Sequence, residues 1–296
     1  MKSEEMFLVK RYAGRMSTSK SSIRDLLWVV NSPHLLQLQD SYSVLSQPLR
    51  ECEIEPEHLH RWLGDSSPLR LGYYFEQLVY YWLAYVRGCS VVARSHQVVV
   101  EKRTLGEIDL IFEDDDGQLT HWEIAVKFYL HCHQVDSSAH VYLGPNSNDT
   151  LEKKRQRLLD HQLPLSLVHF PQVKKRQAFV KGRIFYHWKD SNPNKGSNIL
   201  SAEHLKSRWL RRDELLSFVA EQSRRYCVLR KPFWLADLLA DECLQDSLSG
   251  EQIVSLIENH FRDHQNPVLI SVLQDGLGSS PEVERLFVVP NGWPNQ

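Results

Sequence analysis

The spacing of apolar residues predicts a helix over residues 68–87. Its apolar positions recur at intervals of three and four, which makes one broad apolar face: Leu71, Phe75, Leu78, Val79, Trp82, Leu83 and Val86. Ser67 suits the N-cap, Pro68 the first turn, and Gly88 a left-handed stop. Glu76 lies beside the apolar face, so the helix presents one carboxylate near its packing surface.

Other helices are predicted from periodicity and turn signals. They cover residues 22–30, 56–63, 212–222 and 251–261. The first stops at Asn31-Ser32-Pro33, and the second is closed by Gly64. A further helix starts at Asp149, which forms a capping-box-like pair with Glu152, and runs to about Gln162.

Runs rich in β-branched residues predict strands between these helices. They cover residues 90–100, 107–112, 120–130, 177–187, 268–273 and 284–289. A short polar turn from Glu113 to Gly117 joins the second and third strands, and Gly117 can adopt a positive φ. We expect these two strands to pair antiparallel. The pattern as a whole predicts an α/β fold.

Composition indicates a globular chain with a sizeable core, because 42% of its 296 residues are apolar and 24% are charged. We expect one unit with an N-terminal helical segment (residues 1–66), a core (67–190) and a C-terminal α/β extension (191–296). No apolar run approaches the roughly 18 residues that cross a membrane, and the first residues lack the apolar run of a signal peptide. The five cysteines form no C-x-x-C pair. These features favour a cytoplasmic protein without a membrane partner.

Charge is unevenly distributed along the chain. Residues 150–231 contain 19 Lys and Arg against 7 Asp and Glu, although the net charge of the whole chain is −2. Such a segment either faces phosphates or forms solvated helix faces. The first interpretation places nucleic-acid contacts at five basic residues: Lys153, Lys154, Arg157, Lys174 and Lys175.

Three acidic residues and a lysine fall on predicted elements that meet in space. Glu76 is on the long helix, Asp109 on the second strand, and Glu123 on the third strand, where it shares a face with Lys127. Carboxylates on core strands are costly unless they are paired or bind metal. The group is therefore either a catalytic site or an ion-pair network that holds two strands together.

Three sequence pieces carry a resemblance to a known family: Gly72-x-x-x-Glu76 on a helix, ARSHQVVVEKRTLGEIDLIF, and WEIAVKF after a short acidic turn. Together they resemble the core of the PD-(D/E)XK nucleases, especially the RecB-like and Holliday-junction-resolvase-like branches. The resemblance covers residues 68–188, and Gly106-Glu107-Ile108-Asp109 is its most specific piece. Over the whole chain, including FVVPNGWP, the sequence also resembles a bacterial family of unknown function placed in this superfamily.

This resemblance implies a restriction-endonuclease-like core: a helix, a three-stranded antiparallel meander, a helix and a strand. It implies a nuclease that hydrolyses phosphodiester bonds in DNA with Mg²⁺ or Mn²⁺. Asp109 and Glu123, with the carbonyl that follows Glu123, would bind the metal. Lys127 would activate the attacking water, and Glu76 would bind a second metal or its water shell. Because relatives with this core often work as dimers, a homodimer is a further expectation.

The chain departs from the family pattern at two places. Glu123 and Lys127 are four residues apart rather than two, which spans about 13 Å on an extended strand instead of about 7 Å. A long side chain reaching back, or a β-bulge, would bring the pair together. On the following helix, Gln156 precedes Asp160, where the RecB-like branch often has Gln-x-x-x-Tyr. The alternative is a catalytically inactive relative that binds nucleic acid or a protein partner.

Other chemistries find less support in the sequence. His131-Cys132-His133, with His121 upstream, contains the residue types of a zinc site, but a second Cys or His pair is missing. No phosphate-binding loop, nucleotide fingerprint, serine nucleophile elbow or H-E-x-x-H motif occurs. These absences argue against a kinase, a dehydrogenase, a serine hydrolase and a zincin.

Overall fold

A computed structural model of the chain describes residues 19–45, 47–64, 70–133, 140–191, 198–221, 223–238, 247–274 and 282–294. The helices are α1 (Ser19–Asn31), α2 (Pro56–Leu63), α3 (Leu71–Tyr81), α4 (Leu151–Arg157), α5 (Leu165–His169), α6 (Leu215–Ala220) and α7 (Gly250–Asp263). Short 3₁₀ turns cover Asp40–Tyr42, Glu51–Glu53 and Arg212–Glu214. The strands are β1 (Val91–Val100), β2 (Arg103–Glu113), β3 (Leu119–His133), β4 (His140–Leu143), β5 (Lys175–His187), β6 (Leu205–Arg211), β7 (Arg225–Leu229), β8 (Val268–Leu273) and β9 (Glu282–Val289).

The strands form one mixed sheet in the order β1-β2-β3-β5-β6-β9-β8-β7, with β4 paired to β3. β1, β2 and β3 are antiparallel, which confirms the predicted hairpin. β3, β5, β6 and β9 run parallel, and β8 and β7 complete the sheet in antiparallel pairs. The protein is therefore a mixed α/β fold built on one large sheet.

Helices cover both faces of this sheet. From β3, Trp122 and Phe128 join the cluster that packs against α1 and α3, whereas Tyr129 joins the cluster of α4. In the C-terminal part, α6 and α7 pack on β7, β8 and β9. Because successive side chains of a strand alternate between faces, Glu123 and Lys127 lie on the α4 side of the sheet.

The C-terminal ends of α2 and α3 follow the predicted glycine signals. Gly64 (φ 71°) ends α2, and Gly88 (φ 69°) closes the segment after α3. Between α3 and Gly88 the chain forms a π-helical turn, Trp82–Val86. The predicted start of α3 is wrong, because the helix begins at Leu71 with Arg70 at the N-cap and without a side-chain cap. The predicted cap Ser67 and first-turn residue Pro68 precede it and lie outside the described residues.

The N-cap predicted for α4 is wrong by one residue. Thr150, not Asp149, is the N-cap, and its side chain accepts a hydrogen bond from the amide of Lys153 at 3.2 Å. The Thr150 hydroxyl lies within hydrogen-bond distance of that amide. The predicted end at Gln162 is confirmed, because α4 continues as a π-helical turn, Leu158–Gln162, before α5 begins.

The remaining predicted elements are confirmed with small shifts at their ends: β1, β2, β3, β5, β8, β9, α1, α6 and α7. The sequence analysis missed β4, β6, β7 and α5, which are all short. No helix in the described part of the chain is long and apolar enough to cross a membrane. The division into residues 1–66, 67–190 and 191–296 stays a prediction.

Candidate functional site

Asp109 lies where β2 separates from β3. The paired residues of the two strands end at Leu110 and Trp122, and β4 pairs with β3 only from Leu130 onwards. Beyond the last pair, Oδ2 of Asp109 accepts a hydrogen bond from the amide of Ile124 at 2.7 Å. A carboxylate therefore takes the place of a strand partner at this point of the sheet.

Glu123 is held by one side chain of its own strand and by one side chain of the following helical segment, and it is only 1% exposed. Its Oε1 lies 2.9 Å from Nε2 of His121, and its Oε2 accepts a hydrogen bond from Nε2 of Gln162 at 2.6 Å. Nδ1 of His121 is in turn 2.9 Å from Oγ of Ser166 on α5. The carboxyl group is thus fixed by β3 and by the helical segment 151–169.

The sequence analysis missed Gln162 and Ser166. Both side chains reach the same face of β3, as residues four apart on a helix do. Gly106 permits the close approach of this segment, because a Cβ at Gly106 would lie 2.7 Å from Cδ1 of Leu165. Gln162 at the end of the helix predicted beside the acidic strand was the available signal, whereas Ser166 lies beyond that predicted helix.

Ser166, His121 and Glu123 have the residue types of a serine hydrolase triad but not its accessibility. Ser166 and His121 are 0% exposed. A nucleophile has to reach its substrate, and this hydroxyl is enclosed by protein. The network therefore fixes the carboxyl group of Glu123 and does not attack a substrate.

Burial makes ionisation of the paired carboxyl groups unfavourable. It is the main cause that raises the pKa of Glu123 to about 8 and the pKa of Asp109 to about 7, with the charge of Glu123 as the second cause at Asp109. Burial also lowers the pKa of His121 to about 4. Between these pKa values His121 and Glu123 are both uncharged. Their contact is therefore a neutral hydrogen bond and not a salt bridge.

Glu76 projects from α3 near Asp109 but is not part of the cleft lining. Burial is the largest cause that raises the pKa of Glu76 to about 7, and the charge of Asp109 is the next. Glu107 acts in the same direction, whereas Arg94 and Lys127 oppose it. The structure therefore brings Glu76 within electrostatic range of the carboxyl pair.

No β-bulge shortens β3 between Glu123 and Lys127. The register of β3 with β5 is unbroken from Thr120 to Leu130. The two side chains share a face, but no ion pair joins Lys127 to Glu123 or to Asp109 among the described residues. The four-residue spacing seen in the sequence is therefore retained in space.

Lys127 lies in a crowded environment of mixed charge. Burial is the largest cause that lowers the pKa of Lys127, and the positive charge of Lys154 lowers it further, whereas Asp149, Asp109 and Glu76 oppose this change. Its partner on β5 is Gly182 (φ 149°), where a Cβ would overlap the carbonyl oxygen of Lys127. Only glycine allows the two strands to approach this closely below the lysine.

A cleft of about 260 Å³ lies between β3 and α4 and is lined by three of the predicted site residues: Asp109, Glu123 and Lys127. The segment of α4 adds three cations to the lining: Lys154, Arg155 and Arg157. The Nε atom of Arg155 is buried and has no hydrogen-bond partner within the described residues. Two carboxyl groups thus share one cleft with a basic wall.

The predicted nucleic-acid contacts divide into two groups. Lys154 and Arg157 line the cleft, and Lys153 is exposed beside them on α4. Lys174 and Lys175 are not part of the cleft lining. Lys175 donates to two carboxylates of the β2–β3 turn, at 2.6 and 2.9 Å, so its charge is already paired.

Within the described residues, no group of three or more His, Cys, Asp or Glu side chains is placed to hold a metal ion. His131 packs between two tyrosine rings, and burial raises the pKa of Cys132 to about 12. The side chain of His133 lies outside the described residues. A cation in the cleft would therefore depend on Asp109 and Glu123, with its other ligands from main chain, water or substrate.

Comparison with known proteins gives a family but no activity. A family model described as Domain of unknown function (DUF1853) matches residues 24–289. The match runs from within α1 to the end of β9 and so includes the whole cleft. No curated protein and no solved structure matches the chain.

Proposed function

The chain belongs to the DUF1853 family, and we propose that its cleft binds a divalent cation and hydrolyses phosphodiester bonds in DNA. One observation carries this proposal: Asp109 and Glu123 adjoin each other in a cleft whose other wall is basic. Carboxyl groups favour a cation, and the basic wall favours a polyanion. A phosphodiester bound beside a metal ion would meet both requirements: the carboxyl groups bind the ion, and the basic wall binds the phosphates.

Asp109 and Glu123 suit a hard cation such as Mg²⁺ or Mn²⁺. Mg²⁺ in proteins is commonly bound by one or two carboxylates, with waters and substrate phosphates as the other ligands. The Ile124 amide and Gln162 each donate to one of these carboxyl groups and leave lone pairs for a metal. A cation would also offset the repulsion that contributes to the raised pKa of Asp109. The residues present therefore fit the ion.

The order of elements supports membership of the PD-(D/E)XK nucleases. β1, β2 and β3 form an antiparallel meander, α4 follows, and β5 lies parallel to β3. This is the order that the motif resemblance implies. In this proposal, residues 67–190 are a restriction-endonuclease-like core, and the remaining strands extend its sheet.

Each charged residue of the site then has a role. The cation would supply Lewis-acid activation of water and phosphate. Lys127 would orient the attacking water or stabilise negative charge on the phosphate, and Glu76 would bind a second cation or its water shell. Three basic residues would hold neighbouring phosphates: Lys154, Arg155 and Arg157.

A cleavage assay tests the proposal. The full chain is incubated with labelled DNA in Mg²⁺, in Mn²⁺ and in EDTA, beside the variants Asp109→Asn and Glu123→Gln. We expect cleavage that requires the metal and is lost in both variants. Glu113→Gln is the matched control, because Glu113 is an exposed acid on the same strand as Asp109. Cleavage that survives both substitutions would contradict the proposal.

A second candidate function is nucleic-acid binding without cleavage. It is favoured by the unbroken register of β3, which keeps Lys127 four residues beyond Glu123. This candidate requires DNA binding that weakens as salt is raised, no product with any metal, and unchanged affinity in Asp109→Asn. Metal-dependent product formation would eliminate it.

A further inference from the structure

An aromatic and basic surface adjoins Glu76. The rings of Trp62 on α2 and of Tyr85 after α3 have centroids 5.0 Å apart. The guanidinium of Arg94 on β1 lies 5.6 Å from the centroid of Trp62 and 4.0 Å from that of Tyr80. We call Trp62, Tyr85 and Arg94 the stacking surface.

The stacking surface offers both rings and charge to solvent. Tyr85 is 51% exposed, and Trp62 and Arg94 are partly exposed. Arg94 donates to Oε1 of Gln77 at 2.6 Å, and it has no carboxylate partner within the described part of the chain. Its positive charge, which acts on Glu76 without forming an ion pair with it, is therefore available to a ligand, while Gln77 and the two aromatic rings fix its position.

The stacking surface is connected to the candidate metal ligands. Arg94 is paired in register with Leu110, so its side chain leaves the face of the sheet opposite to that of Asp109. Glu76 lies within electrostatic range of both Arg94 and Asp109. The hydroxyl of Tyr80 donates to the carbonyl oxygen of Asp109 at 3.0 Å. A strand of nucleic acid whose phosphate lies at the carboxyl pair would therefore reach Arg94 by passing Glu76, where β2 separates from β3.

We propose that the stacking surface binds an unpaired segment of the substrate, with Arg94 at a phosphate and with a base stacked on the exposed ring of Tyr85. Aromatic rings combined with cations bind single strands without reading their sequence. A base inside a duplex has both faces covered by its neighbours and cannot stack on a side chain. The substrate class is thus DNA with a single-stranded segment, an inference that rests on the proposed nuclease function.

Binding without metal tests this inference separately from cleavage. The anisotropy of a labelled oligothymidylate is measured in EDTA with the full chain. We expect Tyr85→Ala to weaken binding about 5- to 150-fold and Tyr85→Phe to retain it. Tyr73→Ala is the matched control and should bind as wild type. Tyr73 is 49% exposed on α3 and has no ring partner among the described residues.

Arg94→Gln gives an independent readout. We expect weaker binding and a salt-dependence slope reduced by about 0.7, the value for one lost contact to a single-stranded phosphate. Thermal melting of each variant confirms that it is folded. A wild type that does not bind the oligonucleotide, equal effects of Tyr85→Ala and Tyr73→Ala, or equally tight binding of a blunt duplex would overturn the inference. Intact binding with no metal-dependent cleavage would instead overturn the proposed nuclease function.

Discussion

Asp109 and Ile124 are joined by a hydrogen bond of 2.7 Å between a side-chain carboxylate and a main-chain amide. Alanine at position 109 would remove a candidate metal ligand and also leave the amide without its acceptor, which costs about 1–3 kcal/mol when such a group is buried. Asparagine retains an oxygen acceptor and loses only the anionic charge. Asp109→Asn is therefore the variant that separates metal binding from folding.

We expect Mn²⁺ to raise the Tm of the wild-type protein and to leave the Tm of Asp109→Asn unchanged. A ligand that binds only the folded state stabilises it by about 2.7 kcal/mol at 100 times its Kd. Differential scanning fluorimetry with and without Mn²⁺ measures the shift. An equal rise in both proteins would place the metal elsewhere.

Gln162 should tune the metal affinity of Glu123, because its amide fixes one carboxylate oxygen. We expect Gln162→Ala to weaken Mn²⁺ binding about 10- to 100-fold, as the loss of a hydrogen bond to a metal ligand commonly does. Gln156→Ala is the matched control, because Gln156 is an exposed glutamine of α4. Titration calorimetry compares the three proteins, and equal affinities would refute the role of Gln162.

Without metal, the protein should be more stable at pH 5 than at pH 8. The folded-state pKa values of Asp109 and Glu123, about 7 and about 8, lie above their ordinary values of 3.8 and 4.5. The folded state therefore retains carboxyl protons that the unfolded state releases, which lowers stability as pH rises through this range. His121, whose pKa is lowered from 6.5 to about 4, acts in the opposite direction, and only below pH 6.5. Glu123→Gln should recover on the order of a few kcal/mol at pH 8. Urea unfolding in EDTA at both pH values measures this difference, and greater wild-type stability at pH 8 would contradict it.

We expect Gly182 to be essential for the pairing of β3 with β5 at Lys127. We expect Gly182→Ala to lower the free energy of unfolding by at least about 1–3 kcal/mol, because of its positive φ and the overlap with the Lys127 carbonyl. Gly72→Ala should instead be neutral or stabilise by up to about 1 kcal/mol, because a Cβ at Gly72 meets nothing within 4 Å. Urea unfolding ranks the variants, and a neutral Gly182→Ala would contradict the close approach.

We expect the basic wall of the cleft to contribute more to DNA affinity than Lys174 and Lys175, which lie just before and at the start of β5. We expect the double variant Lys154→Ala, Arg157→Ala to weaken binding and to reduce the salt-dependence slope by about 1.4–1.8, which corresponds to two phosphate contacts. Lys174→Ala should leave both quantities unchanged. Anisotropy at several salt concentrations measures them. A larger effect of Lys174→Ala would move the binding face away from the cleft.

The sequence predicted the elements that contain a strong local signal. The helix around Glu76 and the hairpin around Gly117 are encoded by periodicity and by turn residues. β6 and β7 have no such signal, because they lack a run of β-branched residues; β6 also depends on a partner far away in the chain. β6 pairs with β9, for example through Trp209 and Phe287. Non-local pairing of this kind cannot be read from one segment.

The sequence predicted the candidate site, like the fold, only in part. Asp109, Glu123 and Lys127 lie on strands with a clear pattern, and they do meet at one cleft. The partners of these residues come from elsewhere, as Gln162 does for Glu123. Lys175 shows the opposite case, because its charge is engaged by the β2–β3 turn. A basic residue in sequence does not reveal which acids surround it in space.

The π-helical turn of residues 158–162 sets the rotational phase of the helix that follows. Its wide hydrogen bond joins the amide of Leu163 to the carbonyl of Leu158 at 3.0 Å and accommodates one residue more than a regular turn. Deleting one residue from this turn would rotate the rest of the helical segment, residues 163–169, by roughly 100°. Gln162 and Ser166 would then turn away from β3, while Lys154 and Arg157 kept their places. The extra residue of this turn thus lies between the segment that holds the carboxyl group of Glu123 and the segment of α4 whose basic residues would face DNA.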